Sequence, residues 1–217
     1  DRNMRYRDWV ISKRSYVHEK TGGKVGYIHI PDMSMAGMIE FSRSLYEETS
    51  RDGLIVDIRY NGGGHTSQIV MEKIMKERMG YSVPRRGSRS PYPSASVNGP
   101  VVAITNEYAG SDGDIFGHYF KQMKLGPLIG KRSWGGVIGI APRRTLIDGT
   151  VVTQPEFGLW FRDIGFGLEN RGTIPDIEIE YAPEDYFNNF DPQLEIASEK
   201  CREMMEKTER KVDFREI

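Results

Sequence analysis

Ser111 stands where a serine can attack a carbonyl group. The segment Ala109-Gly110-Ser111-Asp112-Gly113-Asp114 joins an apolar run, Val101 to Ile104, to a helical pattern, Ser111 to Met123. A serine at that junction opens a helix, where free backbone N–H groups and the helix dipole favour negative charge. Acyl transfer uses such a place, because the oxyanion of the tetrahedral intermediate forms within reach of the N–H beside the attacking serine. The same residues also fit a plain helix start, with Ser111 as N-cap and with Asp112 and Asp114 favouring the first turn.

A second segment, Asn61-Gly62-Gly63-Gly64, follows the apolar run Leu54 to Ile58. Glycine lets a backbone approach a ligand closely and adopt positive φ. A free N–H on Gly64 would give a second donor to an oxyanion. A flexible turn or a phosphate-binding nest is the competing reading. The P-loop pattern is absent, and no G-x-G-x-x-G follows a strand.

A serine nucleophile needs a base. The chain holds four histidines, His18, His29, His65 and His118. His29 lies in a strand beside Tyr27 and reads as structural. His118 lies two helical turns beyond Ser111, too far along that helix for direct contact. His65 follows the glycine turn and is the one nearby candidate. No histidine follows His118, and Ala109 replaces the first glycine of G-x-S-x-G, so the α/β-hydrolase elbow is excluded. The histidines lack H-E-x-x-H spacing and Cys201 is a lone cysteine, so neither a metal nor a cofactor is expected.

These segments need strands and helices to hold them. Lys24 to Ile30 alternates as a strand, ended by Pro31. Ser34 to Thr49 has the apolar spacing of an amphipathic helix, with Ser34 as cap. Leu54 to Ile58 and Val101 to Ile104 read as buried central strands. Thr66 to Met79 reads as a helix, and Gly80 to Asn98 as a long surface loop or edge segment. Leu128 and Ile129 fall in a further strand, and Arg144 to Thr153 forms a hairpin around Asp148-Gly149. Glu156 to Arg162 reads as a strand and Pro192 to Lys211 as a helix. Residues 1–23 form a charged, helical lead-in from a preceding domain, and 24–217 form the main domain. Alternating strands and helices predict an α/β layered fold with a mixed, largely parallel sheet flanked by helices. Sites in such sheets lie beyond the carboxyl ends of strands, where both Asn61 to His65 and Ala109 to Asp114 stand.

Composition narrows the class. The 217 residues carry 30 basic and 31 acidic side chains, a net charge of -1, which argues against a nucleic-acid partner. No apolar run approaches the ~20 residues needed to span a bilayer, so no membrane partner is expected. One cysteine allows no internal disulfide and fits a reducing compartment. The sequence does not start with methionine, which reads as a piece of a longer polypeptide.

Four segments in order resemble the S41 peptidases, a family that includes C-terminal processing peptidases and the tricorn type. They are Gly53 to Gly64 (GLIVDIRYNGGG), Val101 to Phe116 (VVAITNEYAGSDGDIF), Ile129 to Gly136 (IGKRSWGG) and Gly167 to Asp176 (GLENRGTIPD). The resemblance implies a ClpP/crotonase-like core. Processing peptidases use a Ser–Lys dyad, but here Gly136 occupies the lysine's register. Lys131 and Arg132 sit upstream and read as solvated residues. The tricorn-type branch instead pairs its serine with a histidine, supported by a glutamate and a second serine. The resemblance implies that Ser111 is the nucleophile, that Glu169 is the glutamate, and that the N–H groups of Gly64 and Asp112 form the oxyanion hole. Glu169 has a rival reading as a surface ion-pair partner of Arg171. In that branch the histidine comes from an N-terminal subdomain, so it is expected outside this sequence. The resemblance further implies a short-peptide substrate, a homo-oligomer and a cytoplasmic location. Two other readings stay open: a non-catalytic peptide-binding or assembly module, and a crotonase-like acyl-CoA enzyme. The paired motifs around Ser111 and Glu169 disfavour the second.

Overall fold

The computed structural model describes residues 1–207. Helix α1 (Arg2–Lys20) leads into β1 (Val25–His29), α2 (Met35–Glu48), β2 (Gly53–Asp57) and α3 (Ser67–Ile74). A small hairpin, β3 (Gly80–Ser82) and β4 (Ser90–Tyr92), precedes β5 (Val101–Thr105), α4 (Asp112–Gln122) and β6 (Leu128–Gly130). The order ends with β7 (Gly139–Thr145), β8 (Val151–Phe157), β9 (Ile177–Glu178), α5 (Pro183–Phe187) and α6 (Pro192–Lys207).

Five strands form one sheet in the order β1-β2-β5-β6-β9, and every neighbouring pair is parallel. Among the named strands, antiparallel pairing joins β3 with β4 and β7 with β8. Strand side chains alternate between faces. Leu54 and Val56 of β2 and Ala103 of β5 join one core with Phe41, Met71 and Phe116. Ile55 and Val102 join the other, with Val17 of α1 and Leu194, Ala197 and Cys201 of α6. Helices therefore cover both faces, which is why Leu54 to Val56 and Val101 to Ile104 are continuously apolar. Burying a side chain such as Phe116 stabilises the fold by about 1.5–3 kcal/mol.

Helix α1 docks largely through charge. Lys13 Nζ lies 2.9 Å from Asp191 Oδ2, His18 Nε2 lies 2.8 Å from Glu48 Oε2, and Lys20 pairs with Glu195. Beyond β2, the Arg59 guanidinium is 2% exposed and donates to Asp57 at 2.6 Å and to Asp191 at 2.9 Å. Such a buried cation is tolerable because its partners surround it. It fixes the chain two residues before Asn61 against the start of α6.

Four expected elements differ. Ser34 occupies the N-cap of α2 without making the cap bond. Asp32 Oδ1 does the capping instead, accepting from Ser34 N–H at 2.8 Å and Gly37 N–H at 3.0 Å. Helix α3 stops at Ile74 rather than Met79, because Lys76 and Arg78 turn their backbones to Val97, with bonds of 2.9 and 3.0 Å. The loop expected over 80–98 contains the β3–β4 hairpin. The strand expected over 156–162 is absent beyond Phe157, where β8 ends. The helix expected to Lys211 is seen to Lys207, and 208–211 lie outside the described residues.

Candidate active site

Strands β2 and β5 are neighbours, so the loops at their carboxyl ends meet. The link is direct: Gly110 N–H donates to Asn61 O at 3.0 Å. Asn106 Oδ1 accepts from Tyr60 N–H at 3.0 Å and from Tyr108 N–H at 3.2 Å, bracing both loops with one side chain. Asn61 is buried, takes the Gly63 N–H at 2.9 Å and donates to Ile30 O at 2.8 Å.

Ser111 precedes α4 with φ 54° and ψ -118°. A non-glycine residue there carries strain of about 1–3 kcal/mol. Its hydroxyl makes no cap bond to the helix and has no hydrogen-bond partner among the described residues. The cap reading of Ser111 therefore fails in its hydrogen-bonding part. A Cβ on Gly63 would lie 2.6 Å from Ser111 Cβ and 3.0 Å from its Oγ, so the glycine turn is packed against the serine side chain.

Gly64 sits opposite Met33 in a short parallel bridge. Met33 N–H donates to Gly63 O and His65 N–H to Met33 O, each at 2.7 Å. In that pattern Gly64's own N–H points away from Met33. Neither Gly64 N–H nor Asp112 N–H has an acceptor among the described residues. At Gly64, φ is 147° and a Cβ would fall 1.9 Å from Met33 O, so only glycine fits.

Two buried carboxylates flank the serine. Asp112 accepts Ser67 N–H at 2.9 Å and the Ser67 hydroxyl, at the start of α3. Asp114 accepts Gly135 N–H at 2.8 Å and the Ser133 hydroxyl. Burial pushes the Asp114 carboxyl above its ordinary value, against the pull of those donors. Ser133 Oγ in turn accepts Thr173 N–H at 2.7 Å, and Asn170 N–H donates to Gly135 O at 2.7 Å. Helix α4 is thus tied to the turn that carries Glu169.

Glu169 Oε2 accepts the N–H groups of Val137 and Ile138 at 2.7 and 2.8 Å. It lines an open cavity of about 450 Å³ with Val137, Ile138, Leu159 and Phe166. Among the described residues it forms no ion pair with Arg171.

The histidines lie elsewhere or idle. His29 is buried between the Tyr6 hydroxyl, 3.0 Å from Nδ1, and Arg59 O, 2.9 Å from Nε2, and burial lowers its pKa. His18 faces Glu48. His118 Nε2 lies 3.3 Å from Asp163 Oδ1, and its ring meets Phe161 edge-on. His65 is exposed, with its ring outside any hydrogen bond among the described residues. No histidine hydrogen-bonds Ser111 among the described residues. Lys131 pairs with Glu180 at 2.7 Å and Arg132 donates to Arg171 O at 2.6 Å, in keeping with their reading as surface residues.

Sequence reasoning missed Asn61, Asn106, Asp114, Ser133 and Thr173. Asp114 alone carried a signal, as an acid in the first turn of α4. Among the described residues, no three His, Cys, Asp or Glu side chains gather as a metal site would need.

The model of peptidase family S41 matches residues 24–179. A tricorn protease of Thermoplasma acidophilum is 62% identical over 91% of this chain and 18% of its own length. One from Thermoplasma volcanium is 58% identical over 95% of this chain and 20% of its own. A crystal structure of the tricorn protease aligns with a TM-score of 0.92 and 60% identity, over 95% of this chain and 20% of that one. The chain therefore spans about a fifth of these relatives. No helix among the described residues is long and apolar enough to cross a membrane. Motif order, parallel core and extent of identity agree: the chain belongs to peptidase family S41.

Proposed function

We propose that this chain carries the nucleophile half of a serine peptidase. Ser111 attacks the scissile carbonyl and forms an acyl-enzyme. The N–H groups of Gly64 and Asp112 receive the oxyanion, each contributing on the order of 3 kcal/mol to the transition state. Glu169 orients the base, a histidine supplied from outside the described residues. The observation that carries the reading is Ser111 itself, strained at φ 54° with an unpartnered hydroxyl against the glycine turn. The substrate is a short peptide, as the likeness to tricorn proteases supports. Residues 24–217 act as the peptidase domain, with 1–23 leading in from a preceding one.

A homo-oligomer and a cytoplasmic location complete the proposal. The first draws support from the exposed apolar side chains of the β7–β8 hairpin, among them Ile140, Leu146 and Ile147. The second draws support from a single, unpaired cysteine.

The test is labelling by a fluorophosphonate reagent. The full-length natural polypeptide carrying this sequence is compared with its Ser111→Ala variant and with residues 1–217 alone. Labelling of the full-length protein that is lost in Ser111→Ala, and weak in the 217-residue chain, is expected. A full-length protein that resists labelling would overturn the peptidase reading. It would favour a peptide-binding or assembly module, which the lack of a histidine bonded to Ser111 also fits.

A further inference from the structure

We propose that the Asp112 carboxylate is a positioning group that holds the two oxyanion-facing N–H groups in register by clamping Ser67. The inference rests on the peptidase reading of Ser111 and deepens it. In that reading the backbone of Asp112 acts on the oxyanion. Its side chain has a separate task.

The two donors belong to different loops. Asp112 N–H opens α4, whereas Gly64 N–H lies in the turn that precedes α3. Their spacing decides whether both reach one oxygen, and hydrogen-bond geometry tolerates only a few tenths of an ångström. The glycine turn is pinned to Met33 on one flank by two 2.7 Å bonds. On the other flank Gly63 and Gly64 meet Ser111 without a hydrogen bond, and the turn is held to the serine loop before the glycines by the bond from Gly110 N–H to Asn61 O at 3.0 Å. Ser67, three residues beyond Gly64, supplies a second tie, on the far side of the glycines. Its N–H and hydroxyl both donate to Asp112, the N–H at 2.9 Å. Asp112 and Ser67 are 5% and 2% exposed, so water does not compete for these bonds. Thr66, at the N-cap of α3, makes no cap bond, and its hydroxyl is buried without a partner. Asp112 thus takes over the capping of α3 from another helix, a choice that couples the two loops.

Three variants of the full-length protein test this: Asp112→Ala, Asp112→Asn and Ser67→Ala. The backbone N–H of residue 112 is present in all of them. Removing one oxyanion donor lowers kcat by about 10²–10³. Asp112→Ala is expected to lower kcat by about 10², with KM within about threefold. Asp112→Asn is expected to regain all but about tenfold of kcat, because its Oδ1 accepts the Ser67 N–H and its Nδ2 donates to the Ser67 oxygen. Ser67→Ala keeps the N–H bond and is expected to lose about tenfold. Rates are normalised to active sites titrated with fluorophosphonate, so a folding defect that merely removes molecules does not register. Wild-type kcat per site in Ser67→Ala and in Asp112→Ala would overturn the clamp and leave the peptidase reading intact. An Asp112→Asn variant no better than Asp112→Ala would also overturn it. A wild-type protein without Ser111-dependent labelling would overturn both.

Discussion

Substituting Gly63 by alanine perturbs the serine from its packed side. Two costs are separable. Gly63 has φ 83°, where a Cβ strains the backbone by roughly 1–2 kcal/mol. The new Cβ would also lie 2.6 Å from Ser111 Cβ, whereas carbons rest about 3.5–4.0 Å apart. The turn must therefore yield by about 1 Å, an overpacking cost of about 1–3 kcal/mol. Adding the two gives about 2–5 kcal/mol, read as a lower denaturant midpoint of the 217-residue chain. A Ser111→Gly background removes the clashing Cβ and leaves the backbone cost and the 3.2 Å approach to Gly110 O. The double-mutant cycle is then expected to show a coupling of about 1–3 kcal/mol. In the full-length protein, a serine displaced by 1 Å loses about 10² in labelling rate. Additivity within about 0.5 kcal/mol, or wild-type labelling in Gly63→Ala, would refute the packing of the glycine turn on Ser111.

Glu169→Gln keeps an acceptor for the Val137 and Ile138 N–H groups but loses the charge. Labelling is expected to fall by about 10–100-fold with stability changed by less than about 1 kcal/mol, measured by labelling kinetics and urea titration. Burial pushes the Asp191 carboxyl up, but Arg59 and Lys13 outweigh it and hold the group well below its ordinary value. Its folded pKa is depressed, so its contribution is present above the unfolded value of 3.8 and is lost as pH falls below it. Urea midpoints are expected to drop as pH falls below about 4, and Asp191→Asn to lessen that slope by about one proton taken up on unfolding. Burial pushes the Cys201 thiol up to about 12. A disulfide reagent is expected to modify Cys201 at the rate of unfolding, and fast labelling in native buffer would contradict its packing under Gly53.

The legible parts of the chain were those whose neighbours are alike. Leu54 to Val56 and Val101 to Ile104 lie between two helical layers, so both faces are apolar there and the strands read directly. Helix α1 read as a charged lead-in because charge is what docks it: Lys13, His18 and Lys20 each find a carboxylate from a distant segment. The end of α3 was overextended because Glu72 to Met79 keeps a helical composition. What stops the helix is Val97, a partner that local pattern does not contain. The β3–β4 hairpin has three-residue strands, too short to show alternation. In the site, Ser111 and the glycine turn were visible because rare backbone geometry demands particular residues. Asn61, Asn106 and Ser133 were invisible, since a buried polar side chain is distinguished only by its partners.

Ser111 shows why the plain helix-start reading fails once geometry is considered. A serine that only caps a helix takes an extended backbone and gives its oxygen to an N–H of the first turn. Ser111 does neither: it holds φ 54° and leaves the hydroxyl unused. Left alone, the turn would relax to the capped form and recover about 1–3 kcal/mol of strain. It is prevented from doing so on every side. Gly110 N–H is fixed to Asn61 O, and Trp134 N–H to Ala109 O at 2.9 Å. Asp112 is fixed to Ser67, and Asp114 to Ser133 and Gly135. These ties come from two separate segments, Asn61 and Ser67 after β2 and Ser133 to Gly135 after β6, and none is needed merely to start a helix. Together they keep the serine oxygen out of the first turn of α4 and packed beside Gly63, as the proposed attack on a carbonyl would need.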